Sequence, residues 1–306
     1  MRFLFLYNNL AFGANESFDL GEDHLLRRAT PDEIARIKEY GDRLGFLMEF
    51  NYQQYQNTIT RTSDSVSSVP MSEKDWRYSV VAFRTEKASP NIRTALALLE
   101  NSIYDLFMLN LAGESVHFYS SPAVLFTTLT SAISNGEPKP FSQDDASQVR
   151  QIVRQLLDFP EDSDFAFIAK AFNDFSGLRA ISHISPFKII AIYSVIELLL
   201  THRPTTQTDS INRQITYKMI LTNNRFEQPI DIRRHFDSTD IKLESLLNKL
   251  YTYRSEIAHG TFSGFQQSLQ ILKNASLVYN FLDSFLKRLL ILCLSEPRLV
   301  HDLRKC

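Results

Sequence analysis

The chain has 306 residues, of which 44% are hydrophobic and 22% are charged, and its formal net charge is −2. These proportions are typical of a folded globular protein and exclude a disordered or fibrous chain. Two cysteines, Cys293 and Cys306, are too few for a disulfide framework. They could still pair with each other, although reduced cysteines in a cytoplasmic protein are the simpler interpretation.

The length predicts about two domains, at roughly 150 residues each. No segment has the run of about 18 apolar residues that a membrane-spanning helix needs, so we expect no membrane association through such a helix. The start of the chain has a short apolar run that Asn8 and Asn9 interrupt. It therefore predicts a first strand at about 2–7 rather than a secretion signal.

The first 150 residues predict a mixed α+β domain whose role the sequence does not disclose. After a polar loop, Thr30, Pro31 and Glu33 form a helix-start signature. Thr and Glu three positions apart can each bind the other's backbone amide, and Pro suits the first turn. This helix is expected to end near Gly45. The other predicted elements of this half are a loop over 58–70, strands at about 78–84 and 116–119, and a helix over 91–111.

From Ser142 onward only helix signals remain. We expect an all-α bundle over residues 160–306, with the domain boundary between Phe141 and Asp162. The protein as a whole is thus predicted to be an α+β domain followed by a helical bundle, and to be mostly helical. The predicted helices are 143–158, 162–180, 186–202, 209–222, 239–259 and 266–294, with loops at 202–206 and 223–237.

Arg254 does not fit the apolar pattern of the helix predicted over 239–259. At about 100° per residue, Arg254 lies only ~20° from Leu243, within the stripe that faces the core. An unpaired guanidinium buried there would cost several kcal/mol. An internal carboxylate, a partner subunit or an anionic ligand must therefore meet it. The stripe consists of Leu243, Leu246, Leu247, Leu250 and Ile257.

His259 and Glu197 are the other polar groups to which this pattern draws attention. His259 precedes Gly260, whose position suits the left-handed residue that ends a helix. Arg254 and His259 would diverge by about 140° on a regular helix, so a second copy of the helix could be needed to complete a site. Glu197 lies on a helix that is apolar nearly all round. We expect it to be at least half-buried and to pair with Arg254, which would either orient Arg254 for chemistry or form a purely structural ion pair.

Two segments together resemble a known family. The run Tyr251-Thr-Tyr-Arg254-Ser255-Glu-Ile-Ala-His259-Gly260 resembles the R-x4-6-H signature of the HEPN superfamily, in the form found in Apea-like HEPN proteins. Upstream, Phe187-Lys-Ile-Ile-Ala-Ile-Tyr-Ser-Val-Ile-Glu197-Leu-Leu-Leu200 is similar to that family's apolar helix with a single Glu. The resemblance covers about residues 160–306 and does not reach the first half of the chain.

The resemblance implies a metal-independent endoribonuclease without a cofactor, acting as a homodimer whose two protomers form one composite site. Arg254 would stabilise the scissile phosphate, and His259 would act as general acid–base or orient the attacking 2′-hydroxyl of the RNA. Those side chains suit the chemistry, because His exchanges protons near neutral pH and Arg presents a planar, fixed cation. Ser255 departs from many active members, which have Asn, Asp or His after the Arg, although Apea-like members often have Ser.

Four further residues are weaker candidates for RNA contacts. Tyr251 and Tyr253 could stack on bases, and Arg233 and Arg234 could contact the backbone from a predicted loop. Core packing and a solvated loop are the alternatives for these two pairs. The histidines show no metal-ligand spacing, so we expect no metal site.

Charge favours the second half of the chain as the part that meets RNA, but only weakly. Residues 1–150 have 14 Lys and Arg against 19 Asp and Glu, a net charge of −5, whereas residues 151–306 have 19 against 16, a net charge of +3. Three functions therefore stay open. The first is a ribonuclease of bacterial anti-phage defence or abortive infection, whose first domain senses a trigger or restrains the nuclease. The second is a non-catalytic HEPN dimerisation scaffold, and the third is a partner of a nucleotidyltransferase.

Overall fold

The chain divides into two units, Met1–Leu157 and Asp158–Cys306. The computed structural model describes residues 1–6, 10–13, 15–44, 56–72, 75–111, 116–117, 139–160, 162–204, 209–238, 240–262 and 264–306. The first unit contains an antiparallel sheet with helices, and the described part of the second is helical. The predicted succession of an α+β part and a helical part is confirmed at this level. None of the described helices combines the length and the hydropathy that crossing a membrane requires.

The described part of the first unit is organised around a sheet with the strand order β3-β4-β7-β1-β8-β9, in which each neighbouring pair is antiparallel. Outside it, β10 pairs in parallel with β2, and β5 and β6 form a separate hairpin. The elements are β1 (Arg2–Leu6), β2 (Leu10–Ala11), β3 (Ser17–Gly21), β4 (His24–Arg28), α1 (Pro31–Leu44), β5 (Asn57–Arg61), β6 (Val66–Pro70), β7 (Ser79–Phe83), α2 (Ser89–Leu98), β8 (Asp105–Asn110), β9 (Val116–His117), β10 (Lys139–Pro140) and α3 (Gln143–Leu157).

Strand β1 lies at the centre of the sheet because its apolar residues can be buried on both faces. Phe3, Leu4, Phe5 and Leu6 are all fully buried. In the ladder, Leu4 is opposite Val81 of β7 on one side and Met108 of β8 on the other. A continuous apolar run is what a strand buried on both faces requires.

The start of α1 confirms the predicted helix signature. The backbone N–H of Thr30 donates to Glu33 Oε2 at 2.8 Å, and the N–H of Glu33 donates to Thr30 Oγ1 at 3.4 Å. The Glu33 side chain is fully buried, and it also accepts two hydrogen bonds from Arg27, at 2.7 and 2.9 Å. One carboxylate thus caps a helix and neutralises a guanidinium from the neighbouring strand.

Three predictions for the first unit are wrong. The helix predicted over 91–111 is in fact α2 followed by β8, because Asp105–Asn110 adds a strand beside β1. The loop predicted over 58–70 contains the β5–β6 hairpin, and the polar loop after β1 contains β3 and β4. Helix α3 packs against α2 and β3 and belongs to this unit, which ends at Leu157, within the interval expected for the domain boundary.

The second unit is built around one central helix. Its elements are α4 (Ala166–Gly177), α5 (Pro186–Leu200), α6 (Ile211–Asn223), α7 (Ile232–His235), α8 (Leu243–His259), α9 (Ala275–Ser295) and α10 (Pro297–Lys305), with 3₁₀ turns at Ser163–Phe165, Leu178–Ala180 and Gln267–Leu272. Helix α5 packs against α4, α6, α8, α9 and α10. Its position explains why its sequence is apolar nearly all round.

The predicted helices of this unit differ from the observed ones mainly at their ends. Helix α8 begins at Leu243, after an extended Lys242, and thus four residues later than predicted; Thr239 itself lies outside the described residues. The segment predicted as a helix over 266–294 begins as a 3₁₀ turn and continues as α9. Helix α7 falls in a predicted loop, and Pro297 begins α10, which was not predicted.

Candidate functional site

The packing of α8 against α5 brings Arg254 and Glu197 together. Arg254 Nη2 lies 3.1 Å from Glu197 Oε1 and donates a hydrogen bond to Oε2 at 3.3 Å. Each side chain is 21% exposed, so the pair is partly buried and still reachable from solvent. The buried stripe of α8 consists of Leu246, Leu247, Leu250 and Tyr253, and Arg254 lies about 20° from Leu247, within it. The expected pairing is therefore present, and the stripe includes Tyr253, whereas Leu243 and Ile257 are only partly buried.

The ion pair leaves hydrogen-bonding capacity unused on both partners. Arg254 Nε and Glu197 Oε1 are buried and have no hydrogen-bond partner among the described residues. Although Nη2 approaches Oε1, the geometry of that contact is not that of a hydrogen bond. Burial raises the pKa of the Glu197 carboxyl, and the opposing effect of Arg254 does not cancel it. Glu197 therefore positions Arg254 but leaves some hydrogen-bond donors of its guanidinium unused.

Two tyrosines flank the pair. The Arg254 guanidinium carbon lies 5.7 Å from the centroid of the Tyr251 ring, and Tyr251 meets Tyr193 edge to face at 6.3 Å between centroids. Tyr193 is almost fully buried. Burial raises the pKa of both phenols, and the Glu197 carboxylate adds to the increase, so both stay neutral at physiological pH. Tyr193 was not among the predicted site residues, although its position four residues before Glu197 places it on the same side of α5.

His259 is exposed and is the last residue of α8. Gly260 follows with φ = 68°, as predicted for the residue that ends the helix. Its N–H donates to the carbonyl of Ile257 at 3.2 Å, and the N–H of Thr261 donates to that of Glu256 at 2.9 Å. These two bonds are the Schellman motif, which fixes the backbone on which His259 is presented.

One chain alone does not bring Arg254 and His259 to a common point. Both lie on the regular helix α8, where five residues separate their directions by about 140°. Among the described residues, no hydrogen bond or ion pair joins them. The Ser255 side chain between them is half-buried and has no hydrogen bond to a described residue.

The remaining predicted contacts lie in different surroundings. Tyr253 is 1% exposed and packs against Phe262 and Phe265 at 4.8 and 4.9 Å between centroids. Its ring is therefore a core residue without a free face for a base. Arg233 and Arg234 are exposed, but they lie on helix α7 and not in a loop.

Within the part of the chain that the structure describes, no group of three or more His, Cys, Asp and Glu side chains could hold a metal ion. Both cysteines are free; Cys293 is buried and Cys306 is exposed. Comparison with known proteins gives no match to a family model, to a curated protein or to a solved structure. The arrangement of Arg254, Glu197 and His259 is thus the evidence on which a function must be argued.

Proposed function

We propose that the second unit is a metal-independent endoribonuclease of the HEPN type, which cleaves RNA by attack of the 2′-hydroxyl. We also propose that it acts as a homodimer in the bacterial cytoplasm, in anti-phage defence or abortive infection. The observation that carries the proposal is the half-satisfied Arg254. Its Nη2 is held by Glu197, whereas its other nitrogens have no acceptor among the described residues, and its side chain is 21% exposed. A phosphate oxygen is the kind of acceptor that the remaining edge of a guanidinium binds well.

In the proposed reaction, the His259 imidazole accepts the proton of the RNA 2′-hydroxyl as that oxygen attacks the adjacent phosphorus. The bond between phosphorus and the 5′-oxygen of the next nucleotide breaks, and the leaving oxygen takes up a proton. The products are a 2′,3′-cyclic phosphate and a 5′-hydroxyl. Arg254 stabilises the charge that develops on the phosphate oxygens, and Glu197 keeps its guanidinium in place.

The proposed dimer follows from the divergence of Arg254 and His259 on α8. If both act on one phosphate, the simplest arrangement pairs the Arg of one protomer with the His of its partner. Mixing inactive Arg254→Ala and His259→Ala proteins should then restore part of the RNA cleavage, because some mixed dimers contain one intact combination. Light scattering at micromolar concentration should give the mass of a dimer. A monomer, or two variants that stay inactive after subunit exchange, would contradict the composite site.

The decisive test uses purified His259→Ala protein and a labelled single-stranded RNA in excess EDTA. Wild type should cut the RNA and leave cyclic phosphate ends, whereas the variant should be inactive but folded. The variant should fold because the His259 side chain is exposed, so that its loss removes little packing and at most about 2 kcal/mol of helix-dipole interaction.

Glu256→Ala is the matched control, because Glu256 lies in the same last turn and its side chain has no hydrogen bond or ion pair with a described residue. It should retain wild-type cleavage. A His259→Ala protein that cuts at the wild-type rate would exclude the proposed role of this motif.

A further inference from the structure

The start of α5, ten residues before Glu197, has an exposed aromatic ring. Phe187 is 67% exposed and the neighbouring Ile184 is 80% exposed. Much of the rest of α5 is enclosed by the bundle, with Ile192, Ile196 and Leu199 fully buried. An exposed aromatic side chain at the end of a packed helix can form part of a ligand-binding surface.

Lys188, the residue after Phe187 in α5, lies near two charged side chains of α9, Asp283 and Lys287. Lys287 of α9 is 5% exposed, and its Nζ lies 2.6 Å from Asp283, so the carboxylate at this place already has a cationic partner. Lys188 Nζ lies 5.2 Å from the centroid of Tyr279, and its side chain has no hydrogen bond to a described residue. Lys188, one position after Phe187 in the chain, therefore has no hydrogen-bonding anion among the described residues.

Burial is the main cause of the altered pKa of Lys188, and the two neighbouring charges have opposite, smaller effects. Burial lowers the pKa of Lys188 to about 8; Asp283 opposes the decrease, and Lys287 adds to it. His183 is exposed at the same end of the helix, and burial together with Lys188 lowers its pKa. An anion at this place would stabilise the protonated forms of both side chains.

An exposed strip of α5 joins this end to the Arg254–Glu197 pair. Ten residues of helix give an axial separation of about 15 Å between Phe187 and Glu197. Ile190 and Ala191 are partly exposed and Ser194 is exposed, and all three lie between these ends. A chain that runs along the helix could therefore reach both places.

We propose that the start of α5 is a second binding site for single-stranded RNA, with Phe187 stacking on a base and Lys188 contacting a phosphate. This inference rests on the proposed function and adds a subsite to it. Aromatic rings next to unpaired cations are typical of sequence-independent single-strand binding. A protein partner fits less well, because the centres of protein interfaces are depleted in lysine.

The experiment measures binding of a fluorescein-labelled oligouridylate to the full-length protein by anisotropy, and KM and kcat for its cleavage. Phe187→Ala should weaken binding and raise KM by about 5- to 150-fold, the range for loss of one stacked base. The kcat should change little, since the ring is far from the scissile phosphate. Lys188→Met should make the slope of log affinity against log salt shallower by about 0.7, the value for one phosphate contact with a single strand.

Two matched variants separate stacking from simple apolar contact. Phe187→Leu keeps an apolar side chain without an aromatic face and should lose as much affinity as Phe187→Ala, whereas Phe187→Trp should bind at least as well as wild type. Ile184→Ala removes a more exposed apolar side chain beside the site and should bind like wild type. Wild-type affinity in Phe187→Leu, or an equal loss in Ile184→Ala, would overturn the stacking role.

Other outcomes distinguish this inference from the proposed function. A wild-type protein that binds the oligonucleotide through Phe187 but cuts no RNA would sustain the inference and refute the ribonuclease. A protein that cuts RNA with the same KM after Phe187→Ala would sustain the ribonuclease and refute the inference. A Phe187→Ala protein that turns from dimer to monomer in light scattering would show that this face joins two copies of the chain, and would overturn the inference.

Discussion

Glu197→Gln separates the contribution of Glu197 to stability from its contribution to activity. The substitution replaces an ionised carboxylate by a neutral amide of nearly the same shape. A fully buried ion pair that loses one partner typically costs about 3–5 kcal/mol. The pair with Arg254 is different, because both side chains are 21% exposed and its hydrogen bond is 3.3 Å long.

The sign of the effect follows from the pKa of Glu197. Burial raises the folded-state pKa of this carboxyl above its ordinary value of 4.5, despite Arg254. The folded state therefore binds more protons than the unfolded state at pH values just above 4.5, and the free energy of unfolding falls as the pH rises through this window. Gln does not titrate and avoids the penalty. At pH 7.5 the variant should be as stable as wild type or slightly more stable, by no more than about 1 kcal/mol.

Urea unfolding of the full-length protein can measure this difference. Circular dichroism at 222 nm reports mainly the helical second unit, whereas Trp76, the sole tryptophan, reports the first unit by fluorescence and serves as an internal control. The advantage of Glu197→Gln should disappear below pH 4.5, where wild-type Glu197 is protonated in both states. RNA cleavage should fall at every pH, because the neutral amide holds Arg254 less firmly.

Two results would refute this reasoning. A loss of about 3–5 kcal/mol at pH 7.5 would mean that the pair behaves as a fully buried one. A difference between variant and wild type that grows on acidification would reverse the inferred direction of the pKa. Unchanged cleavage with unchanged stability would instead assign Glu197 no part in positioning Arg254.

Three further predictions concern other parts of the chain. Glu33→Gln should destabilise the first unit by about 3–5 kcal/mol, because Glu33 is fully buried against Arg27, and the Trp76 transition should move accordingly; an unchanged transition would contradict the buried pair. Gly260→Ala should cost about 1–2 kcal/mol in the dichroism transition through backbone strain alone, since φ is 68° and none of the described neighbouring atoms lies within 4 Å of the added Cβ; a neutral effect would mean that the helix end rearranges. In reductively ¹³C-methylated protein, one lysine resonance should titrate near pH 8 and be absent from Lys188→Arg, whereas titration of every lysine near pH 10 would exclude the lowered pKa.

Local signals in the sequence predicted those parts of the fold in which neighbouring residues determine structure. The Thr30–Glu33 capping box and the Gly260 helix end depend on residues a few positions apart, and both are present. Strand β8 depends on distant partners. Its residues are buried on both faces, so its apolar run has no period that distinguishes a strand from a buried helix. The β5–β6 hairpin is mostly exposed, and its Ser- and Thr-rich strands have the composition of a loop.

The candidate site likewise has features that the sequence predicted and features that depend on three-dimensional packing. An arginine within an apolar stripe and a glutamate within an apolar helix predicted the Arg254–Glu197 contact, because a buried charge needs a partner. The sequence could not show that the contact is incomplete, since the unused Nε depends on the exact approach of two helices. Nor could it separate Tyr251, beside Arg254, from Tyr253 in the core, because the two residues differ only by the rotation of α8.

Helix α5 packs against five neighbouring helices, so its orientation depends on all of them. Over the roughly 15 Å from Phe187 to Glu197, a tilt of only about 5° at one end displaces the other by about 1.3 Å. Displacements of about 1 Å in a catalytic group can cost 10²-fold in rate. The position of Glu197 in the proposed site therefore depends on how side chains pack throughout the bundle. Substitutions far from the reacting phosphate, if they let α5 tilt without unfolding the unit, should change the rate as strongly as changes beside it.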